Sequence, residues 1–94
     1  MIEVKPVGRG AAFEFDVVVR EPGSLCRYRV TLEPDLWERL VGGRVAPERV
    51  LQSAFAFLLD REPKEAILKR FDLAVISRYF PEFESELPRY LAAP

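Results

Sequence analysis

Residues 47–81 read PERVLQSAFAFLLDREPKEAILKRFDLAVISRYFP and hold the densest apolar pattern in the chain. In the first part, apolar residues recur at i, i+1, i+4, i+5, i+8 and i+9, which predicts an amphipathic helix over residues 47–61. Pro63 ends it, because a proline disfavours helical backbone at the residue before it. Phe57 lies off the centre of the apolar stripe, so it either widens the buried face or contacts a partner. We expect this helix to be the central packing element of the fold.

The second part of the stretch predicts two shorter helices. Pro63 begins the first, over residues 63–70, because proline suits the first turn of a helix. Asp72 is the predicted N-cap of the second, over residues 72–80. The tail that follows carries apolar residues at a spacing of four, but Pro88 should shorten or kink any helix there.

The segment before this stretch predicts a β-hairpin. Residues 21–24, EPGS, suit a type II turn, because proline fixes φ and glycine accepts a positive φ. Closing the turn at its two ends places the apolar side chains of both strands on one face. Polar or oppositely charged pairs, such as Asp16 opposite Arg29, share the other face. The apolar face therefore needs a covering layer.

Two further elements flank the hairpin. Residues 2–5 alternate apolar and polar and predict a short strand, whereas residues 34–41 predict a short helix that begins at a proline and ends at two glycines. The predicted fold class is α+β: an antiparallel β-hairpin, three-stranded if the first strand joins it, packed against three to five short helices. We expect the core to join Phe13, Phe15, Val17, Tyr28, Val30 and Leu32 with Leu51, Phe55, Leu58, Ile67 and Ile76.

Composition sets the class of protein. The 94 residues suit a single domain, 1–94, with a β-sheet part in 1–33 and a helical part in 34–94. A chain that is 49% hydrophobic and 31% charged is typical of a globular protein, and a net charge of −1 gives no general attraction to nucleic acid. The sequence has neither a signal-peptide pattern nor a membrane-length apolar run, which favours the cytoplasm. Few thermolabile residues and many prolines are typical of heat-adapted proteins, although a GC-rich genome also favours arginine over lysine.

The residue types exclude several kinds of chemistry. Without histidine, the chain cannot build Ser-His-Asp or Cys-His catalytic groups or a Cys-His zinc site. Cys26 falls on the apolar face of the hairpin, which favours a small core residue over a reactive thiol. Glu82, Glu84 and Glu86 lack the Gly, Asn or Asp that shapes a metal-binding turn, so we predict a solvated acidic segment. We therefore predict no catalytic residue, no metal and no cofactor.

One face of the second hairpin strand carries Arg27, Arg29 and Thr31. The surrounding segment, RYRVTLEPDLWERLVGGRVAPERVLQSAFAFLL, resembles the ribbon-helix-helix family of DNA-binding proteins. The resemblance implies a dimer whose paired strands enter the major groove, with these three side chains reading bases. The hairpin register instead makes them a solvent-facing surface. Residues 63–80 also allow a helix-turn-helix reading, but the acidic tail behind it would repel phosphate.

A second resemblance covers the later part of the chain. EPKEAILKRFDLAVISRYFPEFE, residues 62–84, looks like the C-terminal signature of a family of small uncharacterised bacterial proteins. Because that family has no assigned function, the resemblance implies no catalytic residue and no ligand.

Together these observations predict a non-enzymatic small globular protein that acts through a protein partner or by self-association. The predicted partner-binding surface is late in the chain and mostly aromatic: Arg78, Tyr79, Phe83 and Tyr90. The alternative is a ribbon-helix-helix-like DNA-binding transcriptional regulator. An enzyme would need a mechanism that uses carboxylates alone.

Overall fold

The computed structural model describes residues 1–93, so Pro94, the last residue of the predicted domain, lies outside the described residues. The described chain has an α+β fold in which four α-helices accompany one four-stranded sheet. In chain order the elements are β1 (Ile2–Arg9), β2 (Phe13–Glu21), β3 (Ser24–Leu32), α1 (Pro34–Val41), α2 (Pro47–Leu59), a 3₁₀ turn (Lys64–Ala66), β4 (Arg70–Asp72), α3 (Val75–Tyr79) and α4 (Phe83–Ala92).

The hairpin of β2 and β3 has the predicted register. Ser24 pairs with Glu21 at the turn, and the pairing continues without a shift to Phe13 and Leu32. Gly23 has a φ of 81°, a conformation that glycine adopts without steric cost, as the type II turn requires. The sequence therefore determines this part of the sheet through local turn chemistry and alternation.

β1 joins the hairpin as a third strand and is longer than predicted. Met1 exchanges backbone hydrogen bonds with Arg20, so the odd-numbered residues that follow it bond to β2. The backbone nitrogen of Pro6 therefore points away from β2, so its missing N–H removes no hydrogen bond between the two strands. The strand continues past Pro6 through an irregularity in register between Pro6 and Gly8.

β4 is the element that the sequence analysis missed. Residues 63–70 were expected to form a helix, but they form only a short 3₁₀ turn before the chain extends and pairs with β3 in parallel. Asp72 is not a helix N-cap; its carboxylate accepts hydrogen bonds from Thr31 Oγ1 (2.6 Å) and the Ala74 N–H (3.1 Å). Pairing with a distant strand overrides the local helix signals, and it brings part of the predicted helical half into the sheet.

The helices form two further layers on the apolar face of the sheet. α2 lies between the sheet and α4, so it is buried on both sides, and Phe57 is fully buried. α4 continues through Pro88 instead of ending there, because Phe83 and Leu87 bury the face on which the helix depends. Each predicted core residue is buried except Phe13, which is half-buried and packs edge-on against Trp37. No helix within residues 1–93 is long and apolar enough to cross a membrane.

Candidate functional site

An apolar groove lies where the end of α2 meets β4 and α3. Its volume is about 320 Å³, which is the size of a small binding cleft. Leu58, Ile67 and Ile76 are buried side chains that line it and belong to three successive segments of the chain: α2, the end of the 3₁₀ turn, and α3. The groove therefore exists only because the chain folds these segments together.

The rim of the groove carries two large side chains that the fold leaves exposed. Leu68 is 51% exposed and Tyr79 is 68% exposed, and both line the groove. Phe71 and Val75 also line the groove and are half-buried. Exposed apolar side chains that lie together at one concave surface are typical of a contact surface, because their contact with water is unfavourable and a bound partner would remove it.

Glu62 is the one charged side chain in the wall of the groove. It is half-buried, and it takes part in no salt bridge with a residue in the described range. The groove therefore combines apolar walls with one unpaired carboxylate.

The predicted aromatic surface is divided by the structure. Tyr79 lies at the rim of the groove, and Arg78 beside it on α3 is exposed. Phe83 is 1% exposed and packs edge-on against Phe57, so a partner cannot reach it in the folded state. Phe83 is thus a core residue, because α4 turns its apolar face onto α2.

Tyr90 also serves the packing of α4 on α2. Its hydroxyl donates a hydrogen bond to Asp60 Oδ2 (2.5 Å) and accepts one from Arg61 Nη1 (3.3 Å). The guanidinium of Arg61 lies over the ring of Phe57 and pairs with Glu82. The hydrogen bond with Tyr90, and to a smaller extent the one with Glu82, raises the pKa of Arg61. These contacts account for Tyr90 without a partner.

The three side chains of the predicted acidic segment are 35–46% exposed, and each of them also pairs with an arginine. Glu84 accepts two hydrogen bonds from Arg39 of α1 (2.7 and 2.9 Å), which joins α4 to α1. Glu86 pairs with Arg89 one turn later in the same helix (3.0 Å). Residues 1–93 contain no group of three acidic or cysteine side chains that could hold a metal ion.

The three side chains proposed to read DNA lie on the outer face of the sheet. Arg29 is held by Asp16 (2.6 Å) and Glu14 (3.0 Å), and these hydrogen bonds raise its pKa. Thr31 donates its hydroxyl hydrogen to Asp72, whereas Arg27 is exposed. β4 occupies the edge of β3 at Arg29–Thr31, so Arg29 and Thr31 cannot pair with the strand of a second copy in a two-stranded ribbon.

The structure contains a buried, ion-paired lysine, Lys64, which the sequence did not predict. Lys64 is 3% exposed, and its ammonium pairs with Glu21 (2.6 Å) and Glu65 (2.9 Å), which raises its pKa. Tyr28 donates a hydrogen bond to the Lys64 carbonyl (2.7 Å), and burial raises the pKa of this tyrosine. The contacts attach the 3₁₀ turn to the hairpin, which is a structural role. No local sequence signal marks this attachment, since Glu21 and Tyr28 are 43 and 36 residues away from Lys64.

Comparison with known proteins adds no relative. No family model matches the chain, and searches of the curated proteins and of the solved structures each return no match. Both resemblances therefore stay predictions, and the function has to be argued from the groove.

Proposed function

We propose that this protein is a non-enzymatic interaction module that binds an apolar polypeptide segment in the groove between α2, β4 and α3. The observation that carries the proposal is the pair of exposed side chains, Leu68 and Tyr79, at the rim of a concave apolar surface. An apolar side chain of a partner would displace weakly held water and cover both of them.

The chemistry of the lining supports binding over catalysis. Glu62 and the Tyr79 phenol are its titratable groups, and neither lies in a hydrogen-bonded pair with another group of the described chain. Nucleophilic or general acid–base catalysis needs a positioned pair of such groups. The carboxylate instead favours a segment that carries a lysine or arginine beside its apolar side chains.

A selection from a random peptide library tests the proposal. Wild-type protein should enrich apolar sequences with a basic residue, and the amide NMR shifts that the peptides cause should lie on α3, β4 and the end of α2. The variant Val75→Arg places a cation and extra volume in the groove and should lose these peptides. The matched control Val7→Arg changes an exposed valine of β1 and should keep them. Enrichment of no peptide, or shifts that map to another surface, would refute the proposal.

A further inference from the structure

The two edges of the sheet are protected to different degrees. At β1, Pro6 faces outward without an N–H and the adjacent irregularity disturbs the strand, two features that discourage pairing with another strand. β4 at the opposite edge has neither feature. The Arg29 N–H donates to Lys69 O and the Leu73 N–H donates to Thr31 O, both at 2.8 Å. A parallel ladder uses alternate residues, so the backbone groups of Arg70 and Asp72 point away from β3.

The side chains of this free edge are self-complementary. Arg70 and Asp72 flank Phe71, so two β4 strands can pair antiparallel about a twofold axis that passes beside Phe71. Arg70 of each copy then lies opposite Asp72 of the other, and their outward N–H and C=O groups form four hydrogen bonds. The register also brings the two Phe71 side chains together on the face that carries the groove.

The charges of a single copy favour this arrangement. Arg70 lies directly opposite Arg29 in the sheet, and like charges at opposite positions destabilise a strand pair. Asp16 and Glu14 hold Arg29, whereas no salt bridge within residues 1–93 includes Arg70. Asp72 uses one acceptor site for Thr31 and one for Ala74, and a carboxylate has about four. The Asp72 carboxylate can therefore also accept the guanidinium of the second copy.

We infer that the partner of the groove is a second copy of this chain, added through antiparallel pairing of the two β4 strands. This inference rests on the proposed function, because it names the segment that covers the groove. The pairing joins two four-stranded sheets into one of eight strands and brings Leu68 and Phe71 of one copy to the groove of the other. The interface is isologous, as in most homodimers. Since the paired edge is short, the dissociation constant is expected to be about 10–100 µM.

Sedimentation velocity and amide hydrogen exchange of the wild-type protein from about 10 µM to about 1 mM test the inference. We expect a monomer–dimer equilibrium and, as the dimer forms, slower exchange at the amides of Arg70 and Asp72. A sample that mixes ¹³C-labelled and unlabelled copies should show an intermolecular NOE between Phe71 rings. A monomer over the whole range would overturn the inference, as would a dimer whose newly protected amides are those of Ile2 and Val4 on β1.

A charge reversal provides the matched comparison. Arg70→Asp places two carboxylates opposite each other at both symmetric contacts and should weaken the dimer at least about tenfold. Arg27→Asp makes the same charge change at an exposed residue on the outer face of β3, outside the three residue pairs that β3 forms with β4, and should leave the dimer unchanged. Equal effects of the two variants would overturn the inference. The wild-type exchange and NOE measurements decide it even if Arg70→Asp does not fold. If the protein stays monomeric but binds peptides in the groove, the inference that the partner is a second copy is wrong, and the proposed function still holds.

Discussion

Thr31 Oγ1 donates a 2.6 Å hydrogen bond to Asp72 Oδ1, across a separation of 41 residues. This bond joins the side chains of β3 and β4 on the outer face of the sheet, at one of the three residue pairs of that ladder. It holds in the sheet the strand that borders the groove.

We expect Thr31→Val to lower the free energy of unfolding by about 1 kcal/mol, because it removes the hydroxyl that donates to a half-buried carboxylate. Urea unfolding at neutral pH measures the change. Thr31→Ser keeps the donor and should retain most of the stability. Equal losses in the two variants would show that the lost methyl contacts, and not the hydrogen bond, are responsible.

Phe57 should be among the most costly positions in the chain. It lies off the apolar stripe of its helix, yet it is fully buried against Phe80, Phe83 and Tyr90. We expect Phe57→Ala to cost about 3–5 kcal/mol, since a large cavity replaces the ring. Thermal or urea unfolding measures this, and Tyr79→Ala at the exposed rim should stay within about 0.5 kcal/mol. A loss below about 1 kcal/mol for Phe57→Ala would contradict the three-layer packing.

Because of the ion pairs of Lys64, the free energy of unfolding should decrease as the pH rises in the alkaline range. Hydrogen bonds that the Lys64 ammonium donates to Glu21 and Glu65 raise the pKa of Lys64 in the folded state, so the unfolded chain releases this proton first as the pH rises. The stabilisation is complete below the unfolded pKa of about 10.4 and is lost progressively above it.

Urea unfolding from about pH 9 to about pH 11 measures that dependence. Wild type should lose stability with a steeper slope than Lys64→Met, which keeps a long apolar side chain in the same place. Part of the slope remains in the variant, because burial also raises the pKa of Tyr28. Parallel curves for the two proteins would show that the Lys64 ion pairs do not shift its proton equilibrium.

The DNA-binding alternative predicts retardation of random duplex DNA at low salt, since attraction to phosphate requires no specific sequence. We expect no shift at about 50 µM protein, because Asp16 and Glu14 hold Arg29 and the net charge is −1. A shift that Arg27→Ala abolishes would support the alternative. Asp16→Ala, which releases Arg29 from one partner, should by itself create no binding.

Local signals were sufficient where an element depends on its own residues. The turn at Gly23 and the alternation on both sides determine the hairpin register, and proline and glycine mark the two ends of α1. The apolar periodicity of residues 47–61 locates α2 within two residues of its observed end at Leu59. In each case the decisive interactions lie within a few residues along the chain or across one tight turn.

Tertiary structure decided the rest, because the deciding partners are far away in the sequence. Residues 63–72 carry local helix signals, yet β3 supplies hydrogen bonds that turn Arg70–Asp72 into a strand. The sequence predicted Phe83 to lie on a partner-binding surface, whereas the packing of α4 on α2 buries it against Phe57.

The groove illustrates the same division. The sequence predicted that Leu58, Ile67 and Ile76 are core residues. Only the meeting of α2, β4 and α3 leaves a concave surface among them, with Leu68 and Tyr79 exposed at its rim. Burial depends on what packs against a side chain, and periodicity along one segment does not contain that information.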